Sequence, residues 1–146
     1  MQKIKLNKFI YYLLSYTWGL PMTLLGSIIA LILVICGHRP RKWLYGYYFV
    51  IGHGWGGLEL GPYFLVSDDA SHTTRNHEFG HGVQNCFFGP LMPFIVSIPS
   101  AIRYWYREYL VRKKGYRYSD LPLYDSIWFE GQATAIGNDY EKALSE

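Results

Sequence analysis

His77-Glu78-Phe79-Gly80-His81 is the stretch on which the reading of this chain turns. Ser71 or Thr73 can cap a helix ahead of it, and Gly89-Pro90 stops that helix after it. Positions i and i+4 of an α-helix differ by about 40° in azimuth, so His77 and His81 project from one face with imidazoles able to meet at one ion. That geometry suits zinc. Glu78 is turned about 100° from His77, which removes it as a ligand but leaves its carboxylate within reach of a water at the metal. It is placed to act as a base.

Catalytic zinc takes three protein ligands and leaves the fourth position open, so a third ligand is needed. Glu130 is the expected one. It lies in Trp128-Phe129-Glu130-Gly131-Gln132-Ala133, a carboxylate among apolar and small residues on a predicted helix, and a charge buried there requires a partner such as a metal ion. The competing reading is an exposed glutamate on an amphipathic turn. His72 is the reserve ligand, followed by His53.

Upstream, Phe9 to Gly37 is a run without a charge, longer than the roughly 20 apolar residues that cross a hydrocarbon core. Lys3, Lys5 and Lys8 precede it, Arg39, Arg41 and Lys42 follow it, and Tyr11, Tyr12, Tyr16 and Trp18 stand at an aromatic-belt position. The run is too long for the apolar region of a signal peptide and has no small-residue cleavage site. The expectation is one transmembrane helix kinked at Pro21. The alternative lays Phe9 to Leu20 along the interface and inserts Met22 to Cys36. Basic residues on both sides leave the orientation open.

Arg41 to Ile51 reads as a strand, and a second run covers Leu58 to Val66. The glycine-rich Gly52 to Gly57 joins them as a hairpin or as neighbouring strands, with Pro62 suited to an edge or a bulge. Leu91 to Leu110 is apolar, broken by Pro93 and Pro99, and continues into the aromatic and basic Arg103 to Lys114. It is read as a helix lying on a membrane surface, with a buried core helix and a tilted span as alternatives. A last helix is expected from Asp125 or Ser126 to about Ala143. The fold class is therefore α+β.

A net charge of +3, with the basic residues beside apolar stretches, gives no electrostatic footprint for nucleic acid. Cys36 and Cys86 are read as free thiols, which excludes a disulfide scaffold.

His77-Glu78-Phe79-Gly80-His81 followed by Glu130-Gly131-Gln132-Ala133 resembles the zincin metallopeptidases, in the branch whose third ligand is a glutamate on a later helix. The stretch from Gly57 through Gly89-Pro90-Leu91, with Leu60-Gly61 before the helix and Gln84 within it, is similar to small bacterial membrane-associated proteins carrying the same motif. The likeness covers roughly residues 55 to 140. It implies that His77, His81 and Glu130 hold Zn2+ and that Glu78 activates water. Members of this branch often add a Tyr, His or Arg that stabilises the oxyanion, and Tyr124 and Tyr140 are the nominations here.

The resulting expectation is a single-pass inner-membrane protein. Residues 1–38 form the anchor, and residues 39–146 form a minimal zincin-like domain with a small sheet or hairpin, a motif helix and a C-terminal ligand helix. The 90–110 segment is expected to associate with the membrane, with access for a peptide or protein substrate from the membrane side. Unbridged cysteines and the lack of a signal-peptide pattern favour a cytoplasmic domain. The alternatives are a non-catalytic membrane protein with a structural metal and a membrane-surface interaction module. Neither the substrate nor the oligomeric state is read from the sequence.

Overall fold

The computed structural model describes residues 5–146, so Lys3 of the basic flank lies outside the described residues. The architecture is α+β, with a four-stranded mixed sheet and five α-helices among the described residues. Helix α1 spans Lys8–Tyr16 and α2 spans Leu20–Ile35. Strands β1 (Arg41–Trp43), β2 (Gly46–Val50), β3 (Gly57–Leu60) and β4 (Tyr63–Val66) follow. Helices α3 (His72–Phe88), α4 (Ile98–Lys114) and α5 (Trp128–Ser145) complete the chain.

The expected single N-terminal span is two helices, bent by 93°. The break falls at Thr17–Gly19, ahead of Pro21. Pro21 lies in the first turn of α2, where its missing N–H has no intrahelical partner to lose. Tertiary contacts set the break: the Trp18 indole N–H donates to Phe87 O at 3.1 Å, and Asn85 Nδ2 donates to Gly19 O at 3.1 Å. Among the described residues no single helix is long and apolar enough to cross a membrane, although α1 with α2 meets that test as a bent pair, by length and composition. Tyr11 on α1 enters the main core beside Phe79.

The predicted strand over Arg41 to Ile51 is instead the β1–β2 hairpin, turned at Leu44, whose φ of 52° is left-handed. The second run also doubles back. Gly61-Pro62 makes the β3–β4 turn, which removes Pro62 from any strand. The two runs are neighbours, but β2 pairs with β4 in parallel, giving the order β1-β2-β4-β3. The Gly52 to Gly57 connection then crosses from β2 to the outer strand β3.

Helix α3 keeps its predicted limits, although Ser71 makes no side-chain cap bond. The Leu91 to Leu110 segment is helical from Pro93 onward, where a π-helical stretch, Pro93–Ser97, runs straight into α4, and the chain bends by 115° between Leu91 and Pro93, after a 3-10 turn at Gly89–Leu91. Pro93 cannot donate into a continuing ladder, and a wide π-turn absorbs that loss. The last helix starts at Trp128, slightly later than expected.

Helices α3 and α5 touch backbone to backbone. A Cβ at Gly80 would lie 1.9 Å from Ala133 O, and one at Gly137 would lie 1.9 Å from Asn76 O. Gly80 therefore sets how near the two helices come. Overpacking of a closed contact costs about 1–3 kcal/mol, so Gly80→Ala is expected to lower the thermal midpoint by several degrees or prevent folding. A melt followed by circular dichroism checks this, and an unchanged midpoint would show that the crossing is looser.

Candidate metal centre

His77 and His81 project from α3 toward the first turn of α5, where Glu130 is fully buried. The Nε2 atoms of the two imidazoles are 3.0 Å apart, and Glu130 Oε2 is 2.9 Å from each. The three sequence-chosen ligands thus converge on one point. Ligand atoms around a tetrahedral ion with bonds of about 2.0–2.1 Å are about 3.3 Å apart. The donor triangle matches that spacing to within about half an ångström and is slightly tight.

The tautomers follow from the surrounding hydrogen bonds. Thr134 Oγ1 donates to Glu130 O at 3.2 Å, which leaves its lone pairs to accept from His77 Nδ1 at 2.9 Å. Gln84 Nε2 donates to Phe129 O and Gln132 Oε1 at 2.8 and 2.9 Å, so Gln84 Oε1 accepts from His81 Nδ1 at 2.7 Å. With both protons on Nδ1, both Nε2 lone pairs face the same point as a carboxylate oxygen. Three acceptors in contact call for a cation between them, and the N2O donor set suits zinc and other divalent first-row ions.

A proton can stand in for that cation: with a proton on an imidazole Nε2, the hydrogen bonds from His77 and His81 outweigh burial and hold the Glu130 carboxyl well below its usual value. His81 is lowered by burial and raised more strongly by Glu130 and Glu78, ending at about 9. Burial raises Glu78 against the pull of the two imidazoles, the direction useful to a group that must hold a proton in passing.

Glu78 lines a cleft of about 220 Å³ with His77, His81, Glu59, Ser100 and Tyr124. A Cβ at Gly57 would lie 2.7 Å from the Glu78 carboxylate, so the outer strand is open there for the base. The roof is α4. Ser100 donates to Glu130 Oε1 and is 3.1 Å from the Tyr124 hydroxyl. Arg103 Nε donates to Tyr124 O at 3.1 Å, fixing the segment that carries this tyrosine. Tyr124 stands with its ring 6.2 Å from that of His77, and burial followed by the Glu130 charge pushes its hydroxyl pKa upward.

Of the two tyrosine nominations, Tyr124 reaches the site. Tyr140 is packed in the core against Tyr45 and Phe79, bonded to Leu6. The reserve ligands are also elsewhere: His72 is exposed at the start of α3, and His53 is exposed and bonded to Asp68 at 2.5 Å. His53, Asp68 and Asp69 form a second close group of ligand-type atoms, on the turn that holds the glycine-rich loop. Thr134 and Ser100 escaped the sequence reading, whereas Glu59 stood among the acidic candidates for the third ligand and lines the cleft instead. Thr134 had a signal, since it lies four residues beyond Glu130 on the same helix face; Ser100 had none. No protein-family model, curated protein or solved structure matches the chain.

Two outcomes are expected. Thr134→Val keeps the shape but removes the acceptor for His77 Nδ1, so affinity for zinc or cobalt should fall about 10–100-fold, read by competition with a chromophoric chelator. Glu59 is buried on β3 and held at about 8, above its ordinary 4.5, chiefly by burial. Between those values the unfolded chain has released the proton that the folded chain keeps, so stability falls as pH rises from about 4.5 to 8. In chelator-treated protein, Glu59→Gln should add on the order of 2–4 kcal/mol at pH 8 and nothing at pH 4. Equal effects at both pH values would disprove this account of Glu59.

Proposed function

We propose that this chain is a membrane-associated, zinc-dependent hydrolase of the metallopeptidase kind, with His77, His81 and Glu130 as ligands and Glu78 as general base. The observation that carries the reading is the donor triangle of His77, His81 and buried Glu130, with both histidine Nδ1 atoms facing acceptors and with Glu78 beside it lining an open cleft. The resemblance to zincins with a glutamate third ligand supports the choice of zinc and of a peptide bond. A purely structural metal would need neither the open cleft nor Glu78.

Zinc bound there supplies Lewis-acid polarisation of the scissile carbonyl and acidifies water. Glu78 accepts a proton from the water whose oxygen adds to the carbonyl carbon. It then returns that proton to the amide nitrogen as the C–N bond breaks, leaving an acid and an amine. Tyr124, with its hydroxyl kept protonated by its surroundings, donates a hydrogen bond to the carbonyl oxygen as charge builds there. Gln84 and Thr134 orient the imidazoles, and Ser100 orients Glu130. The bent apolar pair α1 and α2 is the proposed membrane attachment.

Metal content and peptide hydrolysis test this together. Glu78→Gln is expected to retain wild-type zinc while losing about 10²–10⁴ in kcat. His77→Ala should lose the metal. Tyr124→Phe should keep the metal and lose about 10–10³ in kcat. Wild-type protein that binds zinc but cleaves nothing in a broad peptide library would reduce the site to a structural one.

A further inference from the structure

Helix α4 has two working faces. Its inner face carries Ser97, Ser100 and Tyr104, which line the cleft. Its outer face continues from the preceding π-turn as Phe94, Ile98, Ile102, Trp105 and Tyr109, recurring every three or four residues. Phe94, Ile102 and Trp105 are 69%, 64% and 69% exposed. A contiguous apolar stripe of this length on a surface marks a docking site.

Its composition names the occupant. Along α4 the stripe is aliphatic first, aromatic at Trp105, Tyr106 and Tyr109, and basic at Arg112, Lys113 and Lys114. That is the order met in passing from acyl chains through the interface to anionic headgroups. The single acid of α4, Glu108, is tied to Arg112 at 2.9 Å. At about 1.5 Å per residue, Phe94 to Arg112 covers about 27 Å, enough to slant through one leaflet.

The N-terminal pair repeats the pattern. Its elbow at Trp18 seats on Phe87 and Gly89, beside the second elbow, and Met22 meets Ser97. Leu24, Ile28 and Ile32 are exposed along α2, and Arg39, Arg41 and Lys42 come after its far end. Each helix thus has its apolar part toward the shared elbows and its basic residues away from them. Trp105 belongs both to the outer stripe and to the lining of the cleft, which it shares with Leu58, itself exposed on β3.

We propose that the outer face of α4 docks on an anionic lipid bilayer and that the cleft behind it takes a polypeptide segment held in that bilayer, entering between Trp105 and Leu58. The second half rests on the hydrolase reading above; the first half does not. An apolar peptide segment leaves the leaflet at Trp105 and passes along Tyr104 to Glu78 without an aqueous crossing, and α4 orients Glu130 through Ser100 at the same place.

The two halves are tested separately, on full-length protein in vesicles of phosphatidylcholine with phosphatidylglycerol. Spin labels at Phe94→Cys and Ile102→Cys, in a Cys36→Ser background, are expected to be several-fold more accessible to oxygen than to a nickel chelate. A label at Ala135→Cys, on the exposed side of α5, should show the reverse. Nickel access at positions 94 and 102 equal to that at 135 overturns docking, and dipolar broadening between labels overturns it in favour of a second copy. For the substrate, Phe94→Asp with Ile102→Asp should slow cleavage of a palmitoylated reporter peptide on vesicles by about tenfold or more, sparing the same peptide without its lipid. Equal loss on both peptides overturns bilayer delivery. Absence of all hydrolysis fails the metallopeptidase reading while the spin labels still report docking.

Discussion

A polar helix runs through the middle of this molecule, and its buried side chains need partners. Asn76, Glu78, His81, Gln84 and Asn85 on α3 are all buried. An unsatisfied polar group in such a place costs about 1–3 kcal/mol, and three of these residues draw in other parts of the chain, while Asn85 Oδ1 stays without a hydrogen-bond partner. Asn76 accepts from the Trp43 indole after β1 has begun the sheet and donates to Asn138 on α5. Gln84 reaches the backbone at Phe129. Asn85 holds Gly19 between α1 and α2. The same helix that presents the two imidazoles therefore organises the sheet, the last helix and the N-terminal pair around itself.

The charges near this helix are separated by environment. Three carboxylates surround two imidazoles: Glu130 is pulled down by direct hydrogen bonds, Glu78 is pushed up by burial, and Glu59 is pushed up to about 8. Groups of identical chemistry are thereby divided into one permanent anion and two shifted toward the protonated form. Such a division is how acid and base roles are assigned within one cleft. The permanent anion is the one that faces both Nε2 atoms, so negative charge is concentrated where three lone pairs meet.

What could be read from residues alone was whatever local geometry dictates. The i, i+4 spacing placed His77 and His81 together, the capping and stop signals bounded α3, and a carboxylate set among apolar neighbours singled out Glu130. Tertiary contacts decided the rest. Pro21 looked like the break in the apolar run, yet a proline in a first turn disturbs nothing, and the chain turned where Trp18 and Gly19 found partners on α3. Gly61-Pro62 was read as an edge or bulge position inside a single run, although the pair is also a turn signal. Ser100 and Tyr124 carried no local mark, since they meet Glu130 only through the 115° bend ahead of α4. A parallel β2–β4 pair likewise depends on a crossover that no short-range pattern encodes.

The elbow between α1 and α2 also has a mechanical meaning. Ser15 Oγ is 3.4 Å from Cys86 Sγ, and Asn85 grips the turn itself, little more than one helical turn beyond His81. Tension on the chain ahead of Lys8, from a tether or a fused tag, would be delivered to the end of the motif helix. Cutting the chain after Gly37 to obtain a more tractable fragment would take away Tyr11 and the floor on which the histidine face stands.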